Sequence, residues 1–152
     1  MRVVIDTREQ RPYEFRSPSV AGALAVGDYS LAGLEHLIAV ERKEVNDLVG
    51  CLGPGRERFE RELYRGRSLD YFALVIEASL GDLVAGRYRS EMSSQSVVQS
   101  LLAFSVRYRL PVFFAGSREH GQLVTEGLLA KYGREIERRY KALVATDGGG
   151  ER

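Results

Sequence analysis

Gly27-Asp28-Tyr29, then Val40-Glu41-Arg42-Lys43, then Asp47: these three pieces decide how the chain is read. His36-Leu37-Ile38-Ala39-Val40 is a short apolar run suited to a buried strand, and Glu41-Arg42-Lys43 continues it. Side chains alternate between the faces of a strand, so Glu41 and Lys43 project together and Arg42 projects opposite. A carboxylate can hold a hard divalent cation, Mg²⁺ being the usual one in phosphate chemistry. A lysine beside it can stabilise developing phosphate charge or orient a water. Asp28 supplies a second carboxylate from a neighbouring segment. On spacing alone the same residues also suit a solvated strand end carrying a Glu-Lys pair.

The chain around this stretch reads as an α/β domain. Arg2-Val3-Val4-Ile5 is β-branched and forms the first strand, with Asp6 at its end and Arg8 and Glu9 beyond. Pro12 and Pro18 bound a polar loop or short helix. Tyr29-Ser30-Leu31-Ala32 is a second strand and the stretch ending at Lys43 a third. A helix over 44–52, with Val45, Leu48, Val49 and Leu52 at helical spacing, ends at Gly53-Pro54-Gly55. Residues 56–67 form a charged helix. Tyr71–Ile76 is a continuous apolar strand, covered on both faces. A helical turn falls at Leu80–Val84. Ser93 or Ser94 caps a helix to Tyr108. Pro111–Ala115 is the last strand, and a long helix from Arg118 reaches Leu143. This order predicts a mixed central sheet of about five strands flanked by helices. The domain is expected over 1–143, with 144–152 a disordered tail.

The ordered pieces Asp6-Thr7-Arg8-Glu9, Gly27-Asp28, Glu41-Arg42-Lys43 and Asp47 resemble the XPF-type structure-specific DNA endonucleases. Those enzymes carry Gly-Asp, a variable gap, Glu-Arg-Lys, three residues and Asp; here Glu44-Val45-Asn46 are the three. The likeness covers roughly residues 2 to 117. It implies a restriction-endonuclease-like core and a Mg²⁺- or Mn²⁺-dependent endonuclease acting on branched or flapped DNA. Asp6, Asp28 and Glu41, with Glu9, are the implied metal ligands. Lys43 orients water or stabilises charge. Arg42 and Asp47 support the arrangement, Asp47 either through a metal-bound water or through an ion pair to Lys43 or Arg42.

Arg8 and the helix arginines Arg56, Arg58, Arg61 and Arg65 are the candidate DNA contacts. Opposing charges on that helix, Glu57, Glu60 and Glu62, equally suit intrahelical ion pairs. Gly55-Arg56 matches the family, whereas a glutamine usual further along has only Glu62 near its place. Arg87-Tyr88-Arg89 is a weaker candidate for phosphate and base contacts. His36 and His120 lack partners at metal-ligand spacing and are read as structural.

The net charge of +1 argues against strong non-specific DNA binding by the whole surface. The single cysteine, Cys51, excludes an internal disulfide, and no apolar run is long enough for a membrane span, so a cytoplasmic protein is expected. Family members pair through their nuclease domains, so a homodimer through the last two helices is expected. The family's tandem helix-hairpin-helix motifs are not found, which implies a separate DNA-binding partner or a stand-alone nuclease. The competing class is a non-catalytic DNA-binding or dimerisation subunit. An intact signature favours the enzyme.

Overall fold

A computed structural model describes residues 1–148. In chain order the elements are β1 (Val3–Asp6), β2 (Ser19–Gly22), β3 (Tyr29–Leu31), β4 (Ile38–Lys43), α1 (Val45–Leu52), α2 (Arg56–Gly66), β5 (Tyr71–Ile76), α3 (Leu80–Val84), α4 (Ser94–Tyr108), β6 (Val112–Phe114) and α5 (Arg118–Asp147). The strands form one mixed sheet of order β2-β1-β3-β4-β5-β6. β1, β3 and β4 run antiparallel in turn, whereas β2 joins β1, β5 joins β4 and β6 joins β5 in parallel.

Alternation in the central strands builds two cores. Ala39, Phe72, Leu74 and Ile76 turn to one face and pack with Leu48, Leu52, Phe59, Leu63, Val97, Leu101 and Phe104 of α1, α2 and α4. Ile38, Val40 and Val75 turn to the other and pack with Tyr29, Leu129 and Tyr132 under α5. By the same alternation Glu41 and Lys43 belong to the α1–α2 side and Arg42 to the α5 side. The β4–β5 register sets Glu41 against Leu74 and Lys43 against Ile76, so the charged end of β4 is clamped beside an apolar strand.

Two glycines set close approaches here. A Cβ on Gly66 would run into the Phe72 ring, so its absence lets the end of α2 lie on β5. Gly27 has φ +80°, and a Cβ there would come within 2.8 Å of the Ala39 Cβ, which lets the chain press against β4 just before Asp28.

The mixed sheet flanked by helices is as expected, and two details differ. The sheet has six strands, because Ser19–Gly22 pairs with β1; its mostly exposed side chains leave no apolar pattern, and backbone bonding alone defines it. The last helix continues past Leu143 to Asp147, and Gly148 follows it, so 144–147 are helix; residues 149–152 of the expected tail lie outside the described residues. Helices α4 and α5 cover opposite faces of the sheet, with the edge strand β6 between them. No helix among the described residues is long and apolar enough to cross a membrane.

Candidate active site

A cleft of about 620 Å³ opens where the ends of β1 and β4 meet the residues before Asp28 and the facing sides of α1 and α2. Asp28 is pinned between strands by its backbone: its N–H donates to Val40 O at 2.9 Å and its carbonyl accepts from Asp6 N at 2.8 Å. Its Oδ2 accepts the Arg42 N–H at 2.8 Å. Glu41 is 4% exposed, and Lys43 Nζ lies 3.3 Å from its Oε1. The other oxygen, Oε2, is buried with no hydrogen-bond partner. Lys43 also lies 5.6 Å from the Phe59 ring centroid, which fixes its stem against α2.

Burial raises both carboxyls. Asp28 is pushed up to about 6, by burial first and the Glu9 charge next, with the Arg42 N–H and Lys43 opposing. Glu41 is held well above the carboxylate range by burial, then by the charges of Asp28 and Glu62, against Lys43. Burial opposes the Lys43 charge, yet Glu41, Cys51, Glu62 and Asp28 outweigh it and keep the ammonium protonated. Two crowded carboxyls and one orphaned oxygen beside a single cation leave a local deficit of positive charge. A hard divalent ion fits that deficit at Asp28 and Glu41, since Mg²⁺ commonly takes one or two carboxylates and completes its shell with water and phosphate.

Asp6 and Glu9 line the same cleft, with both oxygens of Asp6 and one of Glu9 bonded to other groups. Asp6 Oδ1 accepts from Leu24 N at 2.9 Å and Oδ2 from Arg8 Nε at 2.7 Å. Burial would raise the Asp6 pKa, but these bonds hold it below its ordinary value. Glu9 Oε2 accepts the Tyr29 hydroxyl at 2.7 Å and lies 3.2 Å from Arg42 Nη1. Accordingly, no three acidic, histidine or cysteine groups among the described residues cluster closely enough to hold an ion together. Asp47 is exposed on the cleft and makes no ion pair to Lys43 or Arg42. Lys43 turns to Glu41 instead, and Arg42 leaves by the other face of the sheet.

A family model described as the ERCC4 domain matches residues 5–141. The chain belongs to the ERCC4 domain family. Two structures of XPF from Aeropyrum pernix, one a complex with DNA, share its fold at TM-score 0.70 and 23% identity each. The match covers 87% of this chain and 61% of the first, and 88% and 66% for the complex. The chain thus spans less than two thirds of the length of either structure. No curated protein matches. The core has the mixed-sheet, restriction-endonuclease-like fold of those structures.

In this ERCC4 domain Arg42 is the centre of a network behind the cleft. It donates to Arg11 O at 2.7 Å, pairs with Glu9 and with Glu77 at 3.3 Å, and lies 4.3 Å from the Tyr13 ring centroid. Tyr13 in turn donates to Glu77 at 2.9 Å. Arg42 therefore ties β4 to the loop after β1 and to the end of β5. The Glu77 side chain is buried in that network.

The helix arginines divide. Arg58, Arg61 and Arg65 line the cleft, as their i, i+3, i+7 spacing predicts. Arg56 faces away: it donates to Ser100 Oγ at 2.9 Å and lies over the Phe104 ring at 4.6 Å. The correction follows from position, because Arg56 opens α2 where that helix leans on α4. Arg8 lines the cleft with its side chain 71% exposed while holding Asp6. Tyr88 is half-buried and donates to Met92 O, and Arg87 pairs with Asp82, so this cluster offers no free stacking ring. Glu62, doubted as a stand-in for the missing glutamine, lies in the cleft against Glu41; its i+4 spacing from Arg58 was the available signal. Asn46 and Cys51 also line the cleft without having been singled out as site residues.

Proposed function

We propose that this domain is a metal-dependent endodeoxyribonuclease that cuts DNA at branches or flaps. One observation carries the reading: Asp28 and Glu41, the latter with one oxygen buried and unpartnered, line a cleft together with Lys43 and with Arg58, Arg61 and Arg65 on its wall. Catalysis of phosphodiester hydrolysis requires charge neutralisation and a placed water, and the arginine rim supplies register on a phosphate backbone. The DNA complex of the structurally similar XPF supports the substrate class.

In this reading Asp28 and Glu41 would hold Mg²⁺ or Mn²⁺, which would supply a water of lowered pKa and polarise a phosphoryl oxygen. Glu41 accepts an ion pair from Lys43 through one oxygen and keeps the other free. Lys43, an ammonium paired with Glu41, stabilises phosphate charge or orients the attacking water. The Arg42 amide holds Asp28 in place, and its guanidinium braces the back of the strand. Glu9 and Asp6 stabilise the walls in the arrangement described, and Arg8 stands at the mouth for DNA. A homodimer belongs to the same reading. The test is cleavage of a labelled duplex bearing a single-strand branch by the wild type, Asp28→Asn and Glu41→Gln. Cleavage that requires Mg²⁺ or Mn²⁺ and is lost in both variants, with DNA binding kept, supports the reading. Wild-type cutting by either variant removes it.

A further inference from the structure

Tyr64 stands on α2 with 67% of its surface exposed, outside the Phe59–Leu63–Gly66 stripe that seats the helix. Among the described residues its hydroxyl has no hydrogen-bond partner, so the ring is held out by the helix backbone rather than by a polar anchor. Arg61 and Arg67 lie three positions to either side of it, which places them on its side of the helix, and Arg65 is next in sequence. Tyr64 separates two hollows. One of about 530 Å³ also has Arg61 and Tyr108 in its wall. The other, of about 750 Å³, is bounded by His36, Arg65 and Arg67 and shares Ala25, Val26 and Arg65 with the cleft. The second hollow is therefore a side branch of the cleft, entered over the Ala25–Val26 sill.

We propose that Tyr64 is a base-stacking residue for single-stranded DNA: a strand leaving the cleft crosses the Ala25–Val26 sill and lays one base on the Tyr64 ring, with Arg65 and Arg67 at its phosphates. An exposed aromatic set among arginines along a groove is the arrangement that binds single strands without reading sequence. Bases in a duplex are covered by their neighbours, so only an unpaired base can use the ring. The inference rests on the DNA nuclease reading and names a residue that would make the domain prefer duplexes with a single-strand arm.

The test is binding in EDTA, so that no cleavage intervenes. Labelled blunt duplex and the same duplex with a single-strand arm are titrated with wild type, Tyr64→Ala and Tyr64→Phe, and a second arm carries 2-aminopurine as a stacking reporter. The expected result is that Tyr64→Ala loses about tenfold in affinity for the armed duplex, within the range for one stacked base, and nothing for the blunt one. Tyr64→Phe should keep both, and the 2-aminopurine should be quenched by wild type and Tyr64→Phe but not by Tyr64→Ala. If wild type binds both duplexes and Tyr64→Ala weakens both equally or neither, the inference falls while the nuclease reading stands. If wild type binds neither duplex, the nuclease reading falls and takes the inference with it.

Discussion

Lys43 Nζ lies 3.3 Å from Glu41 Oε1, two residues back on the same face of β4, while Glu41 Oε2 is buried without a hydrogen-bond partner. The pair therefore uses half of the carboxylate and leaves half for another cation. Glu41→Gln should abolish metal-dependent cleavage and keep DNA affinity within about twofold, because Glu41 is no phosphate donor. Lys43→Ala should lower kcat by about 10²–10³-fold, the usual cost of one group that stabilises developing charge. Mn²⁺ binding measured by calorimetry on the protein without DNA should vanish in Glu41→Gln and persist in Lys43→Ala. Retention of Mn²⁺ binding by Glu41→Gln would move the cation away from this pair.

The raised carboxyl of Asp28 makes stability fall as pH rises. Its folded pKa of about 6 exceeds the ordinary 3.8, so the folded state holds the proton more tightly than the unfolded state. The cost is absent below about pH 4, grows between 4 and 6 and is complete above 6. Asp28→Asn, without divalent ions, should be more stable than wild type at pH 7 by roughly 1–3 kcal/mol and equal to it near pH 3.5. Urea unfolding at the two pH values checks this.

Arg58 and Arg61 line the cleft, whereas Arg56 packs between α2 and α4. Each lost phosphate contact lowers the salt slope of DNA binding by about one unit. Arg58→Ala with Arg61→Ala should thus flatten the slope by about two and spare cleavage at saturating DNA. Arg56→Ala should leave the slope alone and cost about 1 kcal/mol of stability through its lost bond to Ser100. Affinities measured from low to moderate salt separate the two; an unchanged slope in the double variant would rule out backbone contact by this helix.

Arg42 sits between two largely buried acids, Glu9 and Glu77, with side-chain exposures of 17% and 5%. Removing it strands both charges. Arg42→Ala should destabilise by about 3–5 kcal/mol, and Arg42→Lys should recover only part, because an ammonium cannot serve Glu9, Glu77 and the Arg11 carbonyl with one planar fork. Thermal unfolding is the measurement, and a loss under about 1 kcal/mol would show that the network is dispensable.

The apolar ladder of α5 packs on the sheet as far as Ile136, but Tyr140, Leu143 and Val144 are exposed at 67%, 66% and 51%. A homodimer should use this end of the helix, and Tyr140→Glu with Leu143→Glu should convert it to monomer. Sedimentation at micromolar concentration reads the outcome, and a monomeric wild type sinks the dimer.

Periodicity alone located nearly every element, because the alternating faces of β4 and the helical spacing of α1, α2 and α4 are written in side-chain polarity. The identities Gly27-Asp28 and Glu41-Arg42-Lys43 marked the cleft for the same reason: residues on one short strand have their relative directions set by the pleat. β2 was illegible, since its exposed residues carry no pattern and its pairing with β1 is made by backbone groups that every residue owns. Only the tertiary structure decided which acids of the cleft are bonded to neighbouring groups and which keeps an unpartnered oxygen. Asp6 and Glu9 have the same chemistry as Asp28 and Glu41, but Arg8, two residues away, and the Leu24 amide take up both oxygens of Asp6, and Tyr29 and Arg42, twenty and thirty-three residues away, take up one of Glu9. The same holds for α2, where neighbouring arginines look alike in sequence and packing against α4 turns Arg56 inward while Arg58, Arg61 and Arg65 remain on the cleft.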